Sequence, residues 1–423
     1  MHHAREKRHA WPVALPDKTP IKRRWALGAG GGAHALHDGY TDTLYVLLPI
    51  WAETFGLSFL QVGFLKTLYS GAMATFQIPV GILAERWGER RLLVLGTVML
   101  GLGYIGFGIT GGLIGLVVCL AFAGFGSSVQ HPLASSIVSR AFDGGSQRAA
   151  LGTYNFTGDL GKVIFPAAMA FAIAYAGWEV SSAIFGIFAI AVGGGLYLAL
   201  RRLDLGARAT SEPAEENIDT GDTLGADARG WGIRSRAGFT YLSVIGIIDA
   251  VIRAGFLTFL PFLLLAKGAD VKLIGVALGL TFAGGAAGKL LCGLAAERFG
   301  IIRSVVLTES LTGILLIAIV ALPLLGILVL LPAIGLVLNG TSSVLYGTVG
   351  DFVNPDRHSR MFGLFYTMIV GSSATAPAIF GLISDASGVE WTIRLAGALA
   401  FVTIPFCIAL RPIITGMYGA SNS

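Results

Sequence analysis

Runs of some twenty predominantly apolar residues recur twelve times along the chain. They lie near 25–51, 58–84, 91–111, 112–140, 147–174, 179–200, 238–265, 271–296, 303–323, 325–350, 360–386 and 390–411. A helix rises 1.5 Å per residue, so about 20 residues cross the hydrocarbon core of a bilayer. There the backbone must satisfy its own polar groups, and for runs of this length only helices do so. The sequence therefore predicts an all-α membrane protein of twelve transmembrane helices, with 91–140 and 303–350 each folding as two crossings joined by a short turn. Charged residues make up 13% of the chain, against about 25% in a soluble protein. Many of the 59 glycines lie inside the apolar runs, where small residues let helices approach closely.

The connections alternate in charge. Arg86, Arg90 and Arg91 follow the second run, and Arg140 and Arg148 the fourth. Arg201, Arg202, Arg208, Arg229, Arg234 and Arg236 follow the sixth, Arg298 and Arg303 the eighth, Arg357 and Arg360 the tenth, and Arg411 the last. Apart from Lys267 and Lys272, the other connections hold almost no Lys or Arg. By the positive-inside rule both termini and the central loop are cytoplasmic, which suits a multi-pass protein of the inner (plasma) membrane. The expected organisation is a basic tail (1–24), an N-terminal six-helix half (25–200), a polar linker (201–237), a C-terminal half (238–411) and a short tail (412–423). The N-terminal segment does not read as a cleavable signal peptide. The net charge of +5 is dispersed between apolar runs rather than gathered into a stripe, which argues against nucleic acid. Cys119, Cys292 and Cys407 are isolated within apolar runs and give no disulfide or metal spacing.

The two halves repeat. Gly63, Gln77, Gly81, Glu85, Arg86 and Gly88 recur 212 residues later as Gly275, Lys289, Gly293, Glu297, Arg298 and Gly300. Asp38 and Asp42 are matched by Asp249 and Arg253, and Gly152 and Pro166 by Gly363 and Pro377, at an offset of 211. Two parallel halves with a site between them at the midplane is a transporter arrangement.

The segment Gly81 to Arg91 runs glycine, three residues, Glu85, Arg86, one residue, Gly88, then the basic Arg90 and Arg91. Gly81 suits close helix packing, Glu85 can accept from an arginine or a helix N-terminus, and Gly88 permits a tight reversal. This loop resembles the signature loop of the major facilitator superfamily, and the copy with Gly293, Glu297, Arg298 and Gly300 stands at the matching place. The resemblance implies a gating role, a charge network made in one state and broken in another. Within that superfamily, His34-Ala-Leu-His37-Asp38, Gly126 to His131-Pro132, and Gly158-Asp159-Leu160-Gly161 with Pro166 resemble the fosmidomycin-resistance group of drug exporters. Leu133 and Lys162 depart from that group's pattern. The resemblance also implies a hinge or proton-leak barrier at Gly158, Gly161, Pro166 and Pro377.

Ionisable residues inside the runs are the main mechanistic signal, since each costs about 2.5–3.5 kcal/mol at a helix centre on insertion scales. His34, Asp38 and Asp42 recur every four residues, with Tyr45 three further on, so all lie on one helix face. Asp38 stands roughly 16 Å from the outer end at 1.5 Å per residue. Asp159 can pair with Lys162, and Asp249 with Arg253, along their own helices. Asp38 and Asp42 need a partner across the bundle or a proton. Removal from water disfavours an ionised carboxylate, which makes Asp38, with His34 or His37 and with Asp42, the candidate proton-coupling group. Lys66, Lys162, Arg253 and Lys289 are candidates for holding an anion. His131, Tyr154, Asn155, Asp159, Asp249, Asn339, Tyr346 and Tyr366 complete the candidate cavity. Glu309 is either bundle-facing or a packing residue.

No phosphate-binding loop, nucleophile elbow or complete metal-ligand set is evident, so neither ATP hydrolysis, enzymatic catalysis nor a cofactor is expected. The energy source would be the proton gradient. The reading is a monomeric secondary transporter exporting a small polar or anionic drug-like compound against protons. Proton-coupled uptake of an organic anion is the alternative, and a membrane-embedded enzyme is the alternative of another class.

Overall fold

The computed structural model describes residues 19–142, 144–207, 233–353 and 358–419. The tail before residue 19, most of the central linker, Arg357 and the last four residues lie outside the described residues. Helices account for almost all of the rest. Helix α1 (Pro20–Phe55) starts at Thr19, whose side chain accepts from the Lys22 N–H, with Pro20 in the first turn where its missing N–H costs nothing. It stops at Gly56 in the left-handed region (φ 61°). Helix α2 (Phe59–Trp87) opens with a reciprocal capping box between Ser58 and Gln61. Then follow α3 (Glu89–Ile109), α4 (Leu113–Ser127), α5 (Gln130–Ala141) and the 59-residue α6 (Gly144–Arg202). The C-terminal set comprises α7 (Arg236–Ala266), α8 (Val271–Phe299), α9 (Ile301–Ala321), α10 (Leu324–Thr348), α11 (His358–Ser387) and α12 (Val389–Gly419).

Among the described residues nine helical segments are long and apolar enough to cross a membrane. Helices α1 and α2 are as long but more polar, holding Asp38 and Asp42 in one and Gln61, Lys66 and Gln77 in the other. Three expected runs differ in form. The run at 112–140 is broken into α4 and α5 beside Ser128, whose hydroxyl turns back to the Phe125 carbonyl at 2.7 Å. Pro132, two residues into α5, has no N–H to continue the ladder. The runs at 147–174 and 179–200 are legs of α6, bent at Gly177 (φ 77°).

Packing between the N-terminal helices α1–α6 and the C-terminal helices α7–α12 is concentrated on the face away from the basic loops. There one apolar cluster joins both sets, with Tyr40, Trp51 and Tyr104 on one side and Phe256, Phe259 and Phe282 on the other. Toward the basic face the core splits in two. One cluster draws only on α1–α6 and the loop after them, and the other only on α7–α12 and their connections. Helix α2 lies against α11, and the first leg of α6 against α8. Gly63 faces the Pro377 carbonyl, Gly381 the Phe59 carbonyl, and Gly275 faces Ala167 and Ala170, all so closely that a Cβ would collide. Asp385 of α11 accepts from the Phe59 and Leu60 N–H groups at 2.8 and 2.9 Å, capping α2 from across the interface.

Two of the loop glycines, Gly81 and Gly293, depart from expectation. A Cβ on Gly81 or Gly293 would meet nothing within 4 Å, so neither supports close helix packing here, because the helices around both diverge at the basic face. Gly88 and Gly300 take the reversal with φ of 82° and 89°. Of the hinge candidates, Pro166 and Pro377 sit at contacts between the two sets. Gly158 and Gly161 instead seat α6 on α1, against the His34 ring and Ala35.

A side chain at Gly63 cannot coexist with α2 and α11 in contact. We expect Gly63→Val to separate these helices at the closed face, lengthening the distance between spin labels at Leu57→Cys and Ser387→Cys in a background without native cysteines. An unchanged distance would mean that this packing does not hold the face shut.

Candidate functional site

The cavity between the two sets is a consequence of the split core. It holds about 600 Å³ and is lined by His34, Asp38, Asp42 and Tyr45 of α1, His131 of α5, Asn155, Asp159 and Lys162 of α6, Arg253 of α7, Lys289 of α8, and Asn339, Tyr346 and Tyr366 of α10 and α11. The four-residue spacing on α1 does bring His34, Asp38, Asp42 and Tyr45 to one wall. A side chamber of about 260 Å³ shares Asp42, Tyr45 and Arg253 and adds Lys66.

Asp38 is the centre of the charged wall. One carboxylate oxygen lies 3.2 Å from His34 Nε2 and 3.2 Å from Lys162 Nζ, and the other lies 3.5 Å from His131 Nε2. Its partner across the bundle is thus Lys162. The pairing of Lys162 with Asp159 along α6 does not form. Asp159 turns instead to Lys289 of α8, with Nζ at 2.6 and 2.8 Å from its two oxygens. The physical reason is counter-charge: Asp38 and Lys289, on helices either side of α6, each offer α6 an opposite charge. Asp249 and Arg253 do approach along α7, at 3.8 Å.

The hydrogen bond to the Tyr154 carbonyl sets the His34 tautomer. His34 Nδ1 lies 2.9 Å from the Tyr154 carbonyl oxygen, and a carbonyl only accepts, so Nδ1 carries the hydrogen. A neutral His34 would then direct the lone pair of Nε2 at the Asp38 carboxylate. The 3.2 Å contact becomes a hydrogen bond once either His34 or Asp38 takes up a proton. Tyr154 stacks on the His34 ring at 4.2 Å and receives a hydrogen bond from Gln130 at 2.9 Å, so it backs the histidine rather than lining the cavity.

His37 is corrected outright: it faces away from the cavity, is 2% exposed, and bonds Thr97 at 2.9 Å. Lys66 donates to the Thr41 carbonyl at 3.0 Å and sits over the Tyr45 ring at 4.3 Å. Among the described residues Asp42 makes no ion pair, although it is buried between Lys66 and Lys162. Asn339 donates to the Gly335 carbonyl at 3.1 Å. His34, Asp38 and His131 bring ligand atoms within 4.8 Å of one another. Lys162 already supplies the positive charge at that carboxylate, so the cluster does not fit a divalent ion. Glu309, for which the sequence leaves two placements open, is buried in the bundle beside Asp249.

At the basic face the charge network runs through Glu89, not Glu85. Glu89 accepts from Ser136 at 2.6 Å and pairs with Arg140, while Arg90 pairs with Asp204 at 3.6 Å and donates to the Leu200 carbonyl. Among the described residues Glu85, Arg86, Arg91, Glu297 and Arg298 form no ion pair, and no ion pair bridges the two sets at this face.

The model of the Major Facilitator Superfamily matches residues 32–331 and 242–415, and the chain belongs to that family of transporters. It is 24% identical to the fosmidomycin resistance protein of Escherichia coli over 403 residues, covering 92% of this chain and 94% of that one. It is 23% identical to a probable sulfoacetate transporter of Cupriavidus necator, covering 88% and 89%. Among solved structures, a bacterial homolog of the human lysosomal transporter Spinster, inward-facing and occupied, aligns with a TM-score of 0.77 at 18% identity, covering 93% and 98%. A peptide transporter POT in complex with sulfate aligns at 0.73 and 14%, covering 93% and 95%. These likenesses establish the fold. The protein is a membrane transporter and not an enzyme.

Lys162→Met strips Asp38 of its counter-ion and should lower stability by about 2–3 kcal/mol, less than for a wholly dry pair because the cavity admits water. Adding Asp38→Asn should recover most of that loss. Thermal unfolding in detergent measures both, and a double variant no more stable than Lys162→Met would contradict the pairing.

Proposed function

We propose that this chain is a proton-coupled secondary transporter of a small organic anion, working by alternating access between twelve crossings arranged as two six-helix halves. The observation that carries the reading is the contact of one Asp38 carboxylate oxygen with both His34 and Lys162, which sets a proton-accepting pair against a cation. By the positive-inside rule the basic face is cytoplasmic, and the split core makes this state open to the cytoplasm. Lys162, Lys289 and Arg253 are the cavity cations, each neutralised by a carboxylate of the protein. An incoming sulfonate, phosphonate or carboxylate competes with Asp38 and Asp159 for those cations. A displaced Asp38 loses its counter-charge and keeps or takes up a proton.

Proton and anion are thereby bound together, and on an inward proton gradient they travel inward. The likeness to a probable sulfoacetate transporter supports an anionic substrate. Export against protons is the second reading, favoured by the likeness to a fosmidomycin resistance protein over almost the whole chain. Rocking of the halves about the cavity serves either direction. The closed face held by Gly63, Gly381 and Asp385 would open as the Glu85 and Glu297 loops close.

Flux in proteoliposomes under an imposed pH gradient, tested with sulfoacetate, fosmidomycin, other organic acids and cationic drugs, examines the reading. We expect gradient-driven flux of at least one anion, and Asp38→Asn to abolish its dependence on the gradient while leaving exchange of the anion down its own gradient. Transport of cationic drugs alone would contradict the proposal. Heightened fosmidomycin sensitivity on expression supports uptake, and resistance supports export.

A further inference from the structure

A second buried acid cluster lies behind the C-terminal wall of the cavity. Asp249 of α7 and Glu309 of α9 are 4% and 1% exposed, and their carboxyl groups are within hydrogen-bonding reach of one another. Two ionised carboxylates are acceptors only, so they cannot hydrogen-bond without a proton between them. Glu309 Oε2 has no hydrogen-bond partner, and an orphaned oxygen is far less costly on a neutral acid than on a buried anion. The surroundings supply little counter-charge. Arg253, one turn along α7, approaches Asp249 at 3.8 Å. Tyr346 and Thr341 of α10 and Cys407 of α12 are the other neighbours able to hydrogen-bond or titrate, and Lys289 of α8 acts on Arg253 from across the cavity.

The internal repeat places this pair with care. Glu309 follows Thr97 by the same 212 residues that relate the two signature loops, and Asp249, matched to Asp38 at 211, stands one position from the match of His37; His37 bonds Thr97 at 2.9 Å. In both sets of helices a polar side chain on the first member reaches one on the third. In the N-terminal set that link is a histidine and a hydroxyl; in the C-terminal set both members are acids.

We propose that Asp249 and Glu309 form a proton-binding carboxyl pair, and that Arg253 controls release of its proton. Arg253 is the link because, of the described groups around the pair, it is the cation that also lines the cavity. When Arg253 closes fully on Asp249, its charge stabilises the doubly ionised pair and the proton departs. When an anion in the cavity draws Arg253 away, the pair keeps its proton. This gives the C-terminal helices a proton site of their own beside the one at Asp38, and its role in transport rests on the anion-transporter reading above.

Infrared difference spectroscopy of the purified, ligand-free protein with isotopically labelled glutamate carboxyls tests the pair without any transport assay. The expected result is a protonated glutamic acid carbonyl band at neutral pH that is lost in Glu309→Gln, shifts in Asp249→Asn, and declines as pH rises. In Arg253→Gln the band should persist to higher pH than in the wild type. A spectrum in which neither Glu309→Gln nor Asp249→Asn changes any carboxylic-acid band would overturn the proposal, as would an Arg253→Gln titration identical to the wild type. Should the band behave as expected while no anion shows gradient-driven flux, the pair stands and the transport reading fails.

Discussion

The structure depends on the neutralisation of charges that no bilayer would otherwise admit. Three cations border the cavity, and each has its own carboxylate: Lys162 with Asp38, Lys289 with Asp159, Arg253 with Asp249. Separately, each group would cost several kcal/mol to insert. Two of the pairs do more than neutralise, because they tie different helices. Lys162 joins α6 to α1, and Lys289 joins α8 to α6 across the two sets. The cavity wall is therefore a set of ion pairs, and on the proposed reading an anion enters it by exchange with a carboxylate, which would tie substrate binding to protonation.

A second constraint is unequal packing along the bundle. Toward one face, glycines let backbones touch between the two sets, aromatic rings fill a shared core, and Asp385 caps α2. Toward the basic face each set keeps its own core. The molecule is thus closed at one end by contacts that depend on glycine and open at the other. Among the described residues the loop charges Glu85 and Glu297 form no ion pair at the open end, whereas Glu89 and Arg140 hold the N-terminal loop to its own helices. The proposed alternating access would exchange the two ends, since packed interfaces switch between discrete arrangements rather than deforming smoothly.

Much of this was legible in the sequence because bilayer thickness and helical periodicity act locally. The apolar runs, the face shared by His34, Asp38 and Asp42, and the paired loops all follow from spacing alone. What spacing could not give was choice between partners. Lys162 lies within one turn of Asp159 yet serves Asp38, because interhelical contacts decide where a buried charge is cheapest. His37 is one residue off the polar stripe and so turns to Thr97, away from the cavity. Glu309, alone in an apolar run, reveals its role only when α9 is set beside Asp249. The offset of the repeat held the signal, since Glu309 stands where Thr97 does in the first half.

The most direct test of the charge-exchange account is calorimetric titration of a small sulfonate or phosphonate into the purified protein, in buffers of different ionisation enthalpy. The account predicts that binding draws protons from the buffer and strengthens as pH falls, because the anion takes a cation that a carboxylate had held. Binding with no proton uptake and the same affinity across pH would show that anion and carboxylate do not compete, and would contradict it.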